Sequence, residues 1–129
     1  MARLLLIDDD LDYTDVIRAR MQKAGYQIET CPGCEEAAEL LEKDKKFDVI
    51  ILDLEMPARN GMATLTYLRN HFTTSEQPEG FTIPIIVATG LQSERLREIV
   101  LTQKVADYIL KPFDTSLLIE KVEAVLKKK

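Results

Sequence analysis

Five short apolar runs recur along this chain, and the segments between them keep a helical period. The runs lie at residues 2–7, 26–30, 47–52, 83–88 and 105–110. The first, third and fourth are almost continuously apolar, the pattern of a strand buried on both faces. The second alternates weakly and reads as an edge strand. Helices are predicted at 12–24, 35–45, 62–70, 93–104 and 115–128. The first carries Val16, Ile17, Arg20, Met21 and Ala24 at helical spacing, with Asp12 or Thr14 as its cap and Gly25 as its stop. The second places Ala37, Ala38, Leu40 and Leu41 on one face, and the last places Leu118, Val122, Val125 and Leu126 on one stripe. Strand–helix alternation repeated five times predicts an α/β fold with a parallel sheet covered by helices on both faces. Right-handed crossovers then restrict its topology.

A chain of 129 residues, 46% of them apolar, suits one domain with one core. We therefore expect residues 1–129 to form a single domain with no second, output domain. No run of about 18 apolar residues occurs, so no membrane span is expected. The first strand begins at once, without a signal-peptide pattern, and the cytoplasm is the expected location. Acidic residues outnumber basic ones by 22 to 17, giving a formal charge of −5 and arguing against nucleic-acid binding. The terminal Lys127-Lys128-Lys129 suits a helix C-terminus or the start of a linker.

Charge gathers where the apolar runs stop. Asp8-Asp9-Asp10 follows the first run, Asp53 ends the third, Thr89 ends the fourth and Lys111-Pro112 ends the fifth. In a parallel α/β sheet the C-terminal edge of the strands is where ligands bind. Carboxylates that converge there repel one another, and a hard divalent cation such as Mg2+ removes that cost. Lys111 suits a point-charge partner for phosphate, Pro112 fixes its approach with a cis bond open to it at modest cost, and Thr89 offers a hydroxyl donor. The bland alternative, an acidic run that merely caps a helix, accounts for one aspartate but not for three together with Asp53.

Cys31-Pro32-Gly33-Cys34 invites a redox or zinc reading. A structural zinc site normally needs four ligands, and the chain adds only His71 to the two cysteines. A redox role needs the motif to follow a core strand and open a helix, whereas Pro-Gly reads most simply as a turn.

Four elements, in this order and spacing, carry a resemblance. They are Leu5-Leu6-Ile7-Asp8-Asp9-Asp10, Asp53-Leu54-Glu55-Met56-Pro57-Ala58-Arg59-Asn60-Gly61, Ile85-Ile86-Val87-Ala88-Thr89 and Tyr108-Ile109-Leu110-Lys111-Pro112-Phe113. Over essentially its full length the chain resembles the response-regulator receiver domain of two-component signalling, of the chemotaxis-regulator kind. The resemblance implies a flavodoxin-like, doubly wound (βα)5 fold with strand order 2-1-3-4-5. It implies that Asp53 is the phosphoacceptor. Asp9, Asp53 and the backbone carbonyl of Glu55 would ligate Mg2+, and Asp8 would act through metal-bound water. Asp10 would help at the helix start. Lys111 and Thr89 would hold the phosphoryl group, with Thr89 and Tyr108 as the switch pair.

The implied partners are a sensor histidine kinase or histidine phosphotransfer protein upstream, and an effector protein or fused output domain downstream. The surface that changes would be the fourth helix, fifth strand and fifth helix, residues 93–128, which the family also uses for homodimers. Donor specificity would lie near the first helix, at Tyr13, Ile17 and Arg20. Such a domain is a signalling phosphoacceptor that assists its own phosphorylation and dephosphorylation, not a classical enzyme.

The chain departs from the pattern in places. The loop at 73–80 is longer than usual and reads as a tolerated insertion. Gly90 stands where alanine is common, and Lys104-Val105 replaces a frequent Gly-Ala. Glu55 and Leu91, at positions that tune the dephosphorylating water, offer no amide to orient it, so a phosphoryl lifetime that is not especially short is expected. Two rivals are a pseudo-receiver that is never phosphorylated and a haloacid-dehalogenase-like phosphatase, whose nucleophile would be Asp8 of Asp8-x-Asp10. The intact set of Asp8, Asp9, Asp53, Thr89 and Lys111 argues against the first. The short chain leaves no room for the cap of the second.

Overall fold

A computed structural model of the chain describes residues 2–43, 47–54, 65–67, 83–90 and 105–128. Its elements are β1 (Arg3–Ile7), α1 (Leu11–Lys23), β2 (Gln27–Cys31), α2 (Cys34–Lys43), β3 (Val49–Asp53), β4 (Ile85–Thr89), β5 (Asp107–Leu110) and α3 (Thr115–Lys127). Residues 65–67 are helical, as predicted, and Leu65 is buried. The predicted helix at 93–104 and the loop at 73–80 lie outside the described residues.

Every strand pair is parallel, and the five strands run in the order β2-β1-β3-β4-β5. This is the doubly wound order expected. Strands β1, β3 and β4 are the continuously apolar ones because they are interior, with a covered face on each side. Leu5, Ile7, Ile50, Leu52, Ile85 and Val87 share one core cluster with Ala37, Ala38 and Leu41 of α2 and with Leu65. Leu4, Leu6, Val49, Ile51, Ile86 and Ala88 face the other way and pack with Ile17 and Met21 of α1 and Leu118, Val122 and Val125 of α3. Successive residues thus alternate between two cores, as the pleat requires. Burying each large aliphatic side chain contributes about 1.5–3 kcal/mol.

Helix α1 differs from its sequence reading in its cap and in its buried face. Its cap is Asp10, the residue that the resemblance places at the helix start, and not Asp12 or Thr14, which the spacing suggested: Asp10 is extended, and its carboxylate accepts a hydrogen bond from the Tyr13 N–H. Its buried stripe is Thr14, Ile17 and Met21, while Val16 stays 48% exposed and Ala24 is exposed. Thr14 tolerates burial because its hydroxyl donates to the Leu11 carbonyl at 3.0 Å. The helix stops as foreseen. Gly25 takes φ +100°, its N–H donates to Gln22 O, and the Tyr26 N–H reaches back to Met21 O, both at 3.0 Å. That pair of bonds is a Schellman turn, which wants glycine at the left-handed position. Tyr26 then hydrogen-bonds Glu123, tying this turn to α3. On α3, Leu126 is only half-buried beside the fully buried Leu118 and Val122.

Pro32 and Gly33 form the bend between β2 and α2, the plain turn that the C-x-x-C spacing also allowed. Cys31 is a free, buried thiol whose pKa burial pushes up to about 11, with Glu36 and Glu29 adding to the rise. A reactive cysteine needs the opposite shift. None of the described helices is long and apolar enough to cross a membrane.

Candidate functional site

The parallel register brings the charged strand ends to one edge. Ile7 pairs with Cys31 on one side and Leu52 on the other, Asp53 pairs with Ala88, and Thr89 pairs with Leu110. Asp8 therefore leaves β1 beside Asp53 at the end of β3. The chain order jumps across β1 here, since β2 lies to one side and β3 to the other. Such a topological switch point opens a crevice at the C-terminal edge.

Asp8 and Asp53 are buried, at 2% and 3% exposure, whereas Asp9 is exposed. One carboxylate oxygen from each lies within 4.8 Å of the other two. Lys111 reaches in from the end of β5, its Nζ 3.1 Å from Asp53 Oδ1 and 3.3 Å from Asp8 Oδ2. The backbone fixes this reach, because the Lys111 N–H donates to Thr89 O at 2.7 Å. The Lys111–Pro112 peptide bond is cis. Asp8 Oδ1 accepts the Asp10 N–H at 2.9 Å, and the Asp8 N–H donates to Cys31 O at 3.0 Å.

Three carboxylates and one ammonium leave the cluster negative. Burial raises the Asp8 pKa; the Asp10 N–H and Lys111 pull it down less strongly, and Asp53 adds to the rise. For Lys111, burial acts to lower the pKa, but Asp8 and Asp53 outweigh it and the net shift is upward. The two rises differ in origin: burial leads for Asp8, with Asp53 adding to it, whereas the neighbouring carboxylates hold the proton on Lys111 against burial. Oxygen donors that close, with charge left uncompensated, fit a hard divalent cation such as Mg2+.

Asp8, Asp9, Asp53 and Lys111 are thus gathered at one place, and Thr89 lies buried at the adjoining end of β4. Tyr108 does not join them. It sits half-buried on β5 opposite Val87 and packs against the α2-side core, with Lys121 Nζ 5.7 Å from its ring centroid. Lys121 also pairs with Asp107 at 3.2 Å. Glu55 and Leu91 lie outside the described residues. Of the three residues read as a donor-facing surface, Arg20 is exposed and donates to Thr115 Oγ1 at 3.3 Å. Ile17 is not on the surface: it is 3% exposed, because its place between Thr14 and Met21 turns it toward the sheet. Tyr13 is half-buried and faces Lys111, a contact the sequence reading missed. No local pattern carries it, since the two residues lie on opposite ends of the chain.

Comparison with known proteins agrees with this architecture. The family model described as response regulator receiver domain matches residues 4–123. The transcriptional regulatory protein CpxR of Escherichia coli is 31% identical over 128 residues, which is 99% of this chain and 50% of that protein. The chain therefore spans about half the length of the curated relatives it matches. The Vibrio cholerae chemotaxis protein CheY4 superposes with a TM-score of 0.83 at 28% identity, covering 98% of this chain and 99% of that one. The receiver domain of Francisella response regulator 1452 gives a TM-score of 0.83 at 26% identity, covering 99% and 98%. The sheet order, the acidic edge with its lysine and the family match lead to one conclusion: this chain belongs to the response regulator receiver domains of two-component signalling.

Proposed function

We propose that this domain accepts a phosphoryl group on Asp53 from a histidine kinase or phosphotransfer protein, in a reaction that needs Mg2+. The observation that carries this reading is the placement of the Lys111 ammonium between the buried carboxylates of Asp53 and Asp8, at 3.1 and 3.3 Å, with Asp9 alongside. Asp9, Asp53 and the Glu55 carbonyl would hold the cation directly, and Asp8 through water. Bound there, the cation supplies charge neutralisation for the transferring phosphoryl oxygens.

The chain's own groups do the rest. Asp53 attacks phosphorus as an ionised carboxylate, so no proton has to leave the nucleophile. A new O–P bond forms as the donor's bond to phosphorus breaks, and the leaving group departs with the electron pair. Lys111 turns from Asp8 and Asp53 to the phosphoryl oxygens, where negative charge now gathers. Thr89 donates its hydroxyl to the same group. Burial of Asp8 and Asp53 keeps bulk water from competing for these contacts.

Phosphorylation adds about two negative charges at Asp53. Thr89 moves to meet them, and Tyr108 turns into the space released. The surface of residues 93–104, β5 and α3 then differs between the two states, and a partner that prefers one state shifts the balance. We read residues 1–129 as one such domain, serving an effector protein or a fused output domain and able to pair with itself through that surface.

The test is intact mass and a phosphate-affinity gel after incubation with acetyl phosphate, with and without Mg2+. Wild type gains one phosphoryl group only with Mg2+, and Asp53→Asn gains none. Labelling that persists in Asp53→Asn overturns the acceptor assignment, and labelling at Asp8 instead marks a phosphatase-like site.

A further inference from the structure

Tyr13 stands in the first turn of α1, fixed from two sides. Its backbone N–H donates to the Asp10 cap at 3.1 Å. Its ring meets that of Phe113 edge-on, with centroids 6.0 Å apart and planes at 84°. Lys111 Nζ lies 4.7 Å from the Tyr13 ring centroid, within the range at which an aromatic face attracts a cation. The same ammonium contacts Asp53 and Asp8. Lys111 is thus bounded by carboxylates and by a neutral ring, and 19% of its side chain remains exposed.

We propose that Tyr13 is a positioning residue for phosphoryl transfer, its ring holding the Lys111 ammonium beside Asp53. The inference rests on Asp53 being the phosphoacceptor. A lysine stem is flexible, and an ammonium free to swing into water contributes less to a developing charge. A further carboxylate beside Lys111 would restrain it, but would also compete with the phosphoryl oxygens for it. A ring restrains the cation without a charge of its own. Burial, and after it the negative fields of Asp8, Asp53 and Asp10, hold the phenol in its neutral form. The Tyr13 hydroxyl is buried with no hydrogen-bond partner among the described residues, so it does not place the ring. Phenylalanine should therefore serve as well.

Two variants separate ring from hydroxyl. In Mg2+-free buffer, NMR of the Lys111 ε-methylene, assigned by its loss in Lys111→Met, reads the contact directly. Wild type and Tyr13→Phe show this signal moved upfield by the ring, and Tyr13→Leu does not. With acetyl phosphate and Mg2+, Tyr13→Leu is phosphorylated about 3- to 10-fold more slowly, and Tyr13→Phe stays within about twofold of wild type. Mg2+ affinity is unchanged in both variants, which a general disturbance of the site would not allow. No upfield shift in wild type, full speed in Tyr13→Leu, or a loss in Tyr13→Phe equal to that in Tyr13→Leu each overturns the proposal. A wild type that takes no phosphoryl group overturns the acceptor reading and the transfer role together, and the NMR arm tells that failure from a missing Tyr13–Lys111 contact.

Discussion

Replacing Lys111 by methionine removes the cation from the carboxylate cluster while keeping most of the apolar stem. At an effective dielectric of about 20, unit charges at 3.1 and 3.3 Å attract by roughly 5 kcal/mol each. Desolvating the ammonium and fixing a mobile side chain offset much of that sum. Removing one partner of a buried pair costs about 3–5 kcal/mol, because the other charge is left buried and uncompensated. Lys111 keeps 19% of its side chain in water, so the lower end, about 3 kcal/mol, is expected. For a domain of this size that lowers Tm by about 10 °C. The assay is thermal and urea unfolding of wild type and Lys111→Met in EDTA at neutral pH, repeated in mild acid and with Mg2+.

The pH arm has a definite sign. Asp8 has a raised pKa, so the folded state binds its proton more tightly than the unfolded chain does. Stability from that proton is full at low pH and is lost as pH rises from the ordinary value of 3.8 through the raised folded value. Without Lys111 the rise in pKa is larger, so the deficit of the variant is smallest in mild acid and full at neutral pH. Mg2+ narrows it because the carboxylates of the variant, with no ammonium competing for them, bind the cation more tightly in the folded state. A Lys111→Met protein that melts within about 2 °C of wild type in EDTA at neutral pH would refute the view that Lys111 offsets the carboxylate charge.

Three further outcomes are expected. Mg2+ affinity falls as pH drops through the raised Asp8 pKa, since protonation removes the negative charge that holds the metal-bound water; calorimetric titration showing no change from neutral to mildly acidic pH would count against this. Cys31, with its thiol pushed up to about 11, alkylates with iodoacetamide far more slowly in the folded protein than in urea, by about 100-fold, as peptide mass mapping reads separately from Cys34. Leu5→Ala, at a fully buried position of the interior strand β1, costs about 3–5 kcal/mol in urea unfolding, and a loss below about 1 kcal/mol would mean that β1 does not hold the core together.

The strands were legible because interior strands of a parallel sheet leave unbroken apolar runs, as β3 and β4 do. The acidic edge was legible because Asp8, Asp53 and Lys111 each end such a run. The cap of α1 was legible only through the family resemblance and not from local spacing, since several neighbouring residues offer the same oxygen chemistry and the extended backbone at Asp10 selects one. Hydropathy also misplaced the inner face of α1. It favoured Val16, whereas Thr14 goes inside by bonding its hydroxyl to its own helix. The Tyr13–Lys111 contact had no sequence signal because it depends on how α1 and β5 meet across the finished sheet.

The all-parallel sheet has a consequence for the order of assembly. Without hairpins, each strand pair is joined by a long crossover, and Lys111 meets Asp8 across 103 positions of chain. Contacts between such distant segments form only after costly loop closure, late in folding. Before β5 docks, the chain carries its crowded carboxylates without their cation. The pocket is therefore a late product of folding: a half-folded copy lacks the lysine that completes it.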